Sequence, residues 1–148
     1  ISAPHITVQH EIVTKENVPI LDENTVKDYA LERVKLSVPL AEIPNSDVES
    51  YSWGWIVRIE SVFTLDTGVD QLPYHAINTT YFFNDRESYD VGFASLEENF
   101  DVYSPMYENL LDTIIIKGVI VPEFGGIVLL ILTSSIVSVI IVGRKFRY

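Results

Sequence analysis

The chain has 148 residues, enough for one compact domain with a short appendage rather than two full domains. Its 21 Asp and Glu against 10 Lys and Arg give a net charge of −11, a field that repels phosphate backbones and argues against a nucleic-acid partner. With no cysteine, disulfides, thiolate metal sites and cysteine nucleophiles are excluded.

At the start, Ile1-Ser2-Ala3-Pro4 has neither the basic nor the apolar region of a leader, so in an exported chain it reads as a mature N-terminus. Ile6, Val8, His10 and Ile12 then share one parity, with Thr7, Gln9 and Glu11 on the other, which predicts a first strand with its apolar side inward. Residues 24–33 fit two periods: Val26, Ala30 and Arg33 have helical spacing, whereas Tyr29, Leu31 and Arg33 alternate. A strand or a short helix is expected there. Val34, Leu36, Val38 and Leu40 alternate again and predict a strand, followed by a turn at Ile43–Asp47.

The longest alternation runs from Trp53 to Asp66 and predicts a strand that bends or bulges near Ser61. Strands are also expected at His75–Phe83 and Tyr89–Ser95, with turns at 66–70 and 84–88. Residues 95–113 lack a clear period and predict a loop with one helical turn. Leu111–Val121, with Ile114–Ile116 and Val119–Val121 apolar, is too rich in apolar residues for a half-exposed edge and predicts a strand through a sheet centre. Six or seven such strands suggest an immunoglobulin-like antiparallel β-sandwich over residues 1–121, an inference about architecture alone.

The remaining residues, 122–148, have a different composition. Phe124 to Gly143 is a run of 20 uncharged residues, a length that as a helix matches a bilayer's hydrocarbon core. All the acidic residues lie at or before Glu123, whereas Arg144, Lys145 and Arg147 follow the run. This asymmetry predicts one transmembrane helix, its basic end cytoplasmic and the acidic domain outside the cell membrane. Within the run, Thr133, Ser134, Ser135 and Ser138 can satisfy their hydroxyls on the helix backbone, and the small side chains also suit a helix-packing face.

Pro122-Glu123-Phe124-Gly125, a hydrophobic helix and a short basic end together resemble the PEF-CTERM class of C-terminal sorting tails. The resemblance is to the PEFG variant on surface proteins of ammonia-oxidising archaea of the thaumarchaeal lineage, and it covers about the last 27 residues. It implies an address read by an archaeosortase and a pseudo-periplasmic body. It also implies a membrane setting in which the partners are the bilayer and integral subunits of a larger complex, the copper-dependent ammonia monooxygenase being the abundant one in that lineage.

Catalytic signatures such as GxSxG, a P-loop, GxGxxG or HExxH do not occur in the sequence. The candidate copper or zinc ligands are His5 and His10, with His75 as a third, although five residues along one strand send two side chains to opposite faces. Against this, His10 and His75 sit on apolar parities, as packed histidines do. Calcium is a further candidate at Asp66 with Asp70, at Asp85 with Glu87 and Asp90, or at Glu97, Glu98 and Asp101, without any fixed ligand spacing. Asn78-Thr79-Thr80 matches the N-glycosylation acceptor pattern. Tyr51, Trp53, Trp55 and the aromatics beyond Tyr81 suggest both core and interface use. The expected function is a non-catalytic, single-pass accessory subunit of a membrane complex without a cofactor of its own. The alternative is a free-standing cell-surface or S-layer-associated protein that binds ions, glycans or coat proteins.

Overall fold

The computed structural model describes residues 4–116 and 119–120. Eight elements precede the C-terminal hairpin: β1 (His5–Ile12), α1 (Glu23–Ser37), β2 (Glu42–Tyr51), β3 (Gly54–Asp66), β4 (Gln71–Phe83), β5 (Glu87–Leu96), a 3-10 turn (Glu97–Asn99) and α2 (Phe100–Leu111). The protein is mainly β. Its five long strands form one antiparallel sheet in the order β1-β5-β4-β3-β2, so β2 to β5 make a meander and α1 carries the chain from one sheet edge to the other.

Helix α1 has a strong start signal. Asp22 caps it by accepting from the Thr25 N–H at 2.9 Å, while the Thr25 hydroxyl accepts from the Asp22 N–H at 3.1 Å. Val26, Ala30 and Val34, four residues apart, are its buried stripe. They pack with Val13, Val18, Val57, Ile59 and Phe82 in the core between helix and sheet. The C-terminus closes when the Val38 N–H donates to the Val34 carbonyl, and Pro39 prevents further continuation.

Several expectations change. The ambiguous segment at 24–33 is helical and extends to Ser37, which absorbs half of the strand expected at 34–40. Leu36 and Leu40, apolar members of that alternation, are exposed. The turn expected at Ile43–Asp47 lies inside β2, whose pairing with β3 is shifted between Glu42 and Asn45. That irregularity sits opposite Ser61, so the bulge expected on β3 is carried by its partner, where Pro44 cannot donate to the ladder. A second sheet stacked on the first, which an immunoglobulin-like sandwich requires, is not shown among the described residues. The layer on one face is α1 instead.

Two positions show why the turns close as they do. Gly54, at φ +154°, brings its α-carbon against the Phe82 carbonyl where a side chain would collide. Arg86 adopts φ 70° in the β4–β5 turn, rare for a side-chain-bearing residue, and its guanidinium donates to the carbonyls of Val18 at 2.6 Å and Pro19 at 3.0 Å. One arginine therefore ties that turn to the segment leading into α1.

The chain divides into two compact units, residues 1–104 and 105–148. Residues 97–111 are more regular than the loop expected, being a 3-10 turn and then α2 with Pro105 inside it. In the second unit Tyr107, Leu111 and Ile116 are buried. Leu111–Val121 is not a strand through the main sheet. Leu111 ends α2, and Ile115–Ile116 (β6) pairs with Val119–Ile120 (β7) in a separate two-stranded sheet. No helix among the described residues is long and apolar enough to cross a membrane. The span expected at 124–143, the motif at Pro122–Gly125 and the domain boundary at 121/122 lie outside the described residues.

Candidate functional site

A cavity of about 240 Å³ lies between the C-terminal half of α1 and the sheet. Its origin is a gradient of side-chain size along the strands. At one end Val57, Ile59 and Phe82 fill the space under the helix. Towards the other, the same faces carry Ser61 on β3, Asn78 and Ala76 on β4, and Gly92 and Ala94 on β5. Small side chains cannot reach α1, and the gap remains.

Three cross-strand rows form the floor. Gln9, Asp90, Thr80 and Val57 make the first; Thr7, Gly92, Asn78 and Ile59 the second; His5, Ala94, Ala76 and Ser61 the third. In the middle row Thr7 and Asn78 lean over Gly92 from either side, so that a methyl group there would press on the Thr7 hydroxyl. Ala30, Arg33, Val34, Ser37 and Val38 form the roof. The walls are therefore mixed, with hydroxyl, amide and methyl groups side by side.

One end is closed by a charged network. Asp90, with 14% of its side chain exposed, accepts from the Thr80 hydroxyl at 2.5 Å on one oxygen. Its other oxygen lies 3.3 Å from Arg33 Nη2, an ion pair whose angle misses a hydrogen bond. Arg33 also donates to Gln9 at 3.3 Å and pairs with Glu11, and Glu11 in turn accepts from the Tyr29 hydroxyl at 2.9 Å. Burial raises the Tyr29 pKa, the negative charges of Asp90 and Glu32 add to the shift, and a hydrogen bond involving Asn17 opposes it. The phenol thus remains a donor at neutral pH, and one cation serves two carboxylates.

The sequence-predicted histidines do not converge. His5 and His10 belong to a single unbroken strand, and their odd spacing puts them on opposite faces: His5 lines the cavity, whereas His10 stacks on Tyr89 with ring centroids 4.5 Å apart. Within this one strand the two imidazoles are therefore directed away from each other. His75 lies in β4, where it meets Glu60 Oε1 at 2.6 Å and is covered by the Phe100 ring at 3.5 Å. Ser95 stands opposite His75 in the register, so Ser, His and Glu share one region of that face. The Ser95 hydroxyl, however, donates to the Leu96 carbonyl at 3.1 Å and is buried, so it is turned to the backbone rather than to His75.

Among the calcium candidates, Glu87 and Asp90 lie on opposite faces of β5. Asp66 accepts from the Gly68 N–H at 2.7 Å as part of its turn, and Asp90 faces the cavity while Glu87 lies towards His10 on the other side. No group of three or more His, Cys, Asp or Glu side chains gathers around a common centre among the described residues. Asn78 is in a central strand and lines the cavity, so a glycan on the folded domain would have to leave through that opening. Arg33 and Tyr29 were not singled out as site residues from the sequence, and Asp90 was named only as a calcium candidate. The usable signal was the run of small and polar residues on alternate positions of β4 and β5, legible once α1 is known to cover that face. No family model matches the chain, and no curated protein is significantly similar to it.

Proposed function

We propose that the chain is a single-pass, membrane-anchored accessory subunit whose acidic, β-rich domain lies outside the cell and contributes contacts rather than chemistry. The observation that carries this reading is the tail: 20 uncharged residues between Glu123 and the Arg144-Lys145 end, introduced by Pro122-Glu123-Phe124-Gly125. In the archaeal lineage whose sorting tails it resembles, ammonia monooxygenase is the first complex to test. Native-gel separation of gently solubilised membranes is the decisive experiment. Co-migration with integral subunits of an oxygenase supports the proposal, and migration alone or with coat proteins refutes it.

A second reading, a free-standing surface protein that holds a small ligand, is favoured by the cavity beneath α1. Its polar rows present both donors and acceptors, its volume suits a molecule smaller than most cofactors, and Asp90 and Arg33 close one end. The matching ligand is a small uncharged molecule that carries hydroxyl or amide groups. Chemical-shift changes confined to Thr7, Asn78 and Gly92 on titration with a panel of polyols and amides would support this reading, and a panel-wide lack of response would remove it.

A further inference from the structure

The sheet ends in two edges of different character. At β2 the edge is guarded: Pro44 interrupts the donors, the pairing is irregular between Glu42 and Asn45, and Glu42, Asp47 and Glu49 lie along it. At β1 these devices are missing. Its eight residues pair with β5 in unbroken register from His5 to Ile12, it contains no proline or lysine, and Glu11 is its one acid. An edge of this kind presents unpaired backbone donors and acceptors to any strand that fits.

The side chains of β1 are reversed relative to the usual pattern. The polar parity, Thr7, Gln9 and Glu11, is directed to the α1 side, where Arg33 engages Gln9 and Glu11. The apolar parity faces outward, with Ile6 50%, Val8 68% and Ile12 66% exposed. Ile6, Val8 and Ile12, which share their parity with His10, amount on this edge to one half of a two-stranded ladder.

We infer that β1 pairs with β1 of a second copy of this chain, antiparallel about a twofold axis, to join two five-stranded sheets into one. The register argument identifies the occupant. A twofold axis through residue 9 sets Ile6 opposite the copy's Ile12, Val8 opposite His10, and Thr7 opposite Glu11. An axis through residue 8 sets Val8 against Val8 and His5 against Glu11. In either case apolar residues remain on one face and polar ones on the other, and the strand's one acid never meets another acid. An axis between the two residues would place Ile6 beside Glu11 and is disfavoured. The surface is self-complementary in pattern and in charge, as an isologous interface must be. This inference stands apart from the anchoring proposal, since it needs only the strand.

The absence of cysteine makes the test direct, because a single introduced thiol can form a disulfide only with its counterpart in another copy. The full chain in mild detergent, carrying Gln9→Cys, Val8→Cys or, as an edge control, Glu49→Cys, is exposed to a gentle oxidant and its mass is measured by sedimentation. The expected result is a dimer that crosslinks predominantly at position 9 or at position 8, with little product at 49. The exposed pair Ile6→Lys with Val8→Lys should halve the mass with its circular dichroism unchanged. A wild-type monomer overturns the inference, as does crosslinking at 49 equal to that in β1. A dimer that survives both lysines and gives no β1 crosslink reports association through the tail and overturns it as well.

Discussion

Asp22 shows how one carboxylate can couple a helix terminus to pH. Its pKa lies below the ordinary value of 3.8, first because the Thr25 N–H donates to it and then because the Thr25 side chain does. The unfolded chain therefore takes up this proton at a higher pH than the folded one. The contribution is fully present above the ordinary carboxylate range and is lost as pH falls through the lowered value. Asn at an N-cap accepts the same hydrogen bond without titrating. Asp22→Asn is accordingly expected to leave the urea midpoint near neutrality almost unchanged and to flatten its decline between about pH 5 and pH 2, read from midpoints across that range. Arg33 illustrates the converse, one cation serving several acceptors. Arg33→Ala leaves Asp90 mostly buried with a single hydrogen bond and frees Glu11 and Gln9, at an expected cost of about 1–3 kcal/mol in chemical denaturation. Arg33→Lys, a point charge without the planar fork, should restore part of this.

At the scale of elements, the strands that read most clearly in the sequence were those with covered faces. β4 and β5 were placed within a few residues, because Ala76, Phe82, Val91 and Phe93 are buried in the sheet. β2 was missed. As an edge strand with Pro44 and three acids it has the composition of a turn, and only its partner β3 gives it register. The segment 34–40 was misread because Val34, Leu36, Val38 and Leu40 alternate by chance across the end of a helix whose core stripe is Val26, Ala30 and Val34. In β1 the alternation was detected but its direction was not, since the polar side faces the helix and the apolar side faces out. The cavity escaped notice for the same reason. Ser61, Asn78 and Gly92 are unremarkable singly and form a floor only when β3, β4 and β5 are side by side. The cavity-filling substitution Ala76→Val adds volume where space exists, so it should change stability by less than about 1.5 kcal/mol while abolishing any ligand-induced shift at Thr7 and Asn78. Gly54→Ala is expected to behave differently, because the collision is with the Phe82 backbone at a positive φ. A loss of about 1–3 kcal/mol in denaturant titration would match that strain, and an unchanged midpoint would contradict it.

For the whole molecule, the distribution of charge matters more than its total. All 21 acids precede the uncharged run and three of the 10 bases follow it, and on the anchoring proposal the two ends take different sides of a bilayer. If residues 124–143 form the anchor, alkaline extraction leaves the intact chain in the membrane pellet and releases a chain ended at Val121 into the supernatant. A charge at mid-span tests the same point more finely. Leu132→Arg adds about 2.5–3.5 kcal/mol to insertion, so a substantial share of the chain should move to the soluble fraction. Replacing Arg144, Lys145 and Arg147 with Gln removes the topogenic signal and leaves the hydrophobic run intact. Insertion should then persist while protease added from outside reaches the acidic domain in a smaller share of molecules. The acidic domain also affects association between copies. Two bodies of like sign approach when β1 meets β1, whereas the strand's contact is apolar and nearly neutral. Raising the ionic strength shortens the screening length to about 3 Å at 1 M and weakens that repulsion without touching the ladder. Dimerisation should therefore strengthen with salt. Weakening on addition of salt would mean that the contact is held by opposite charges, and the β1 pairing would have to be abandoned.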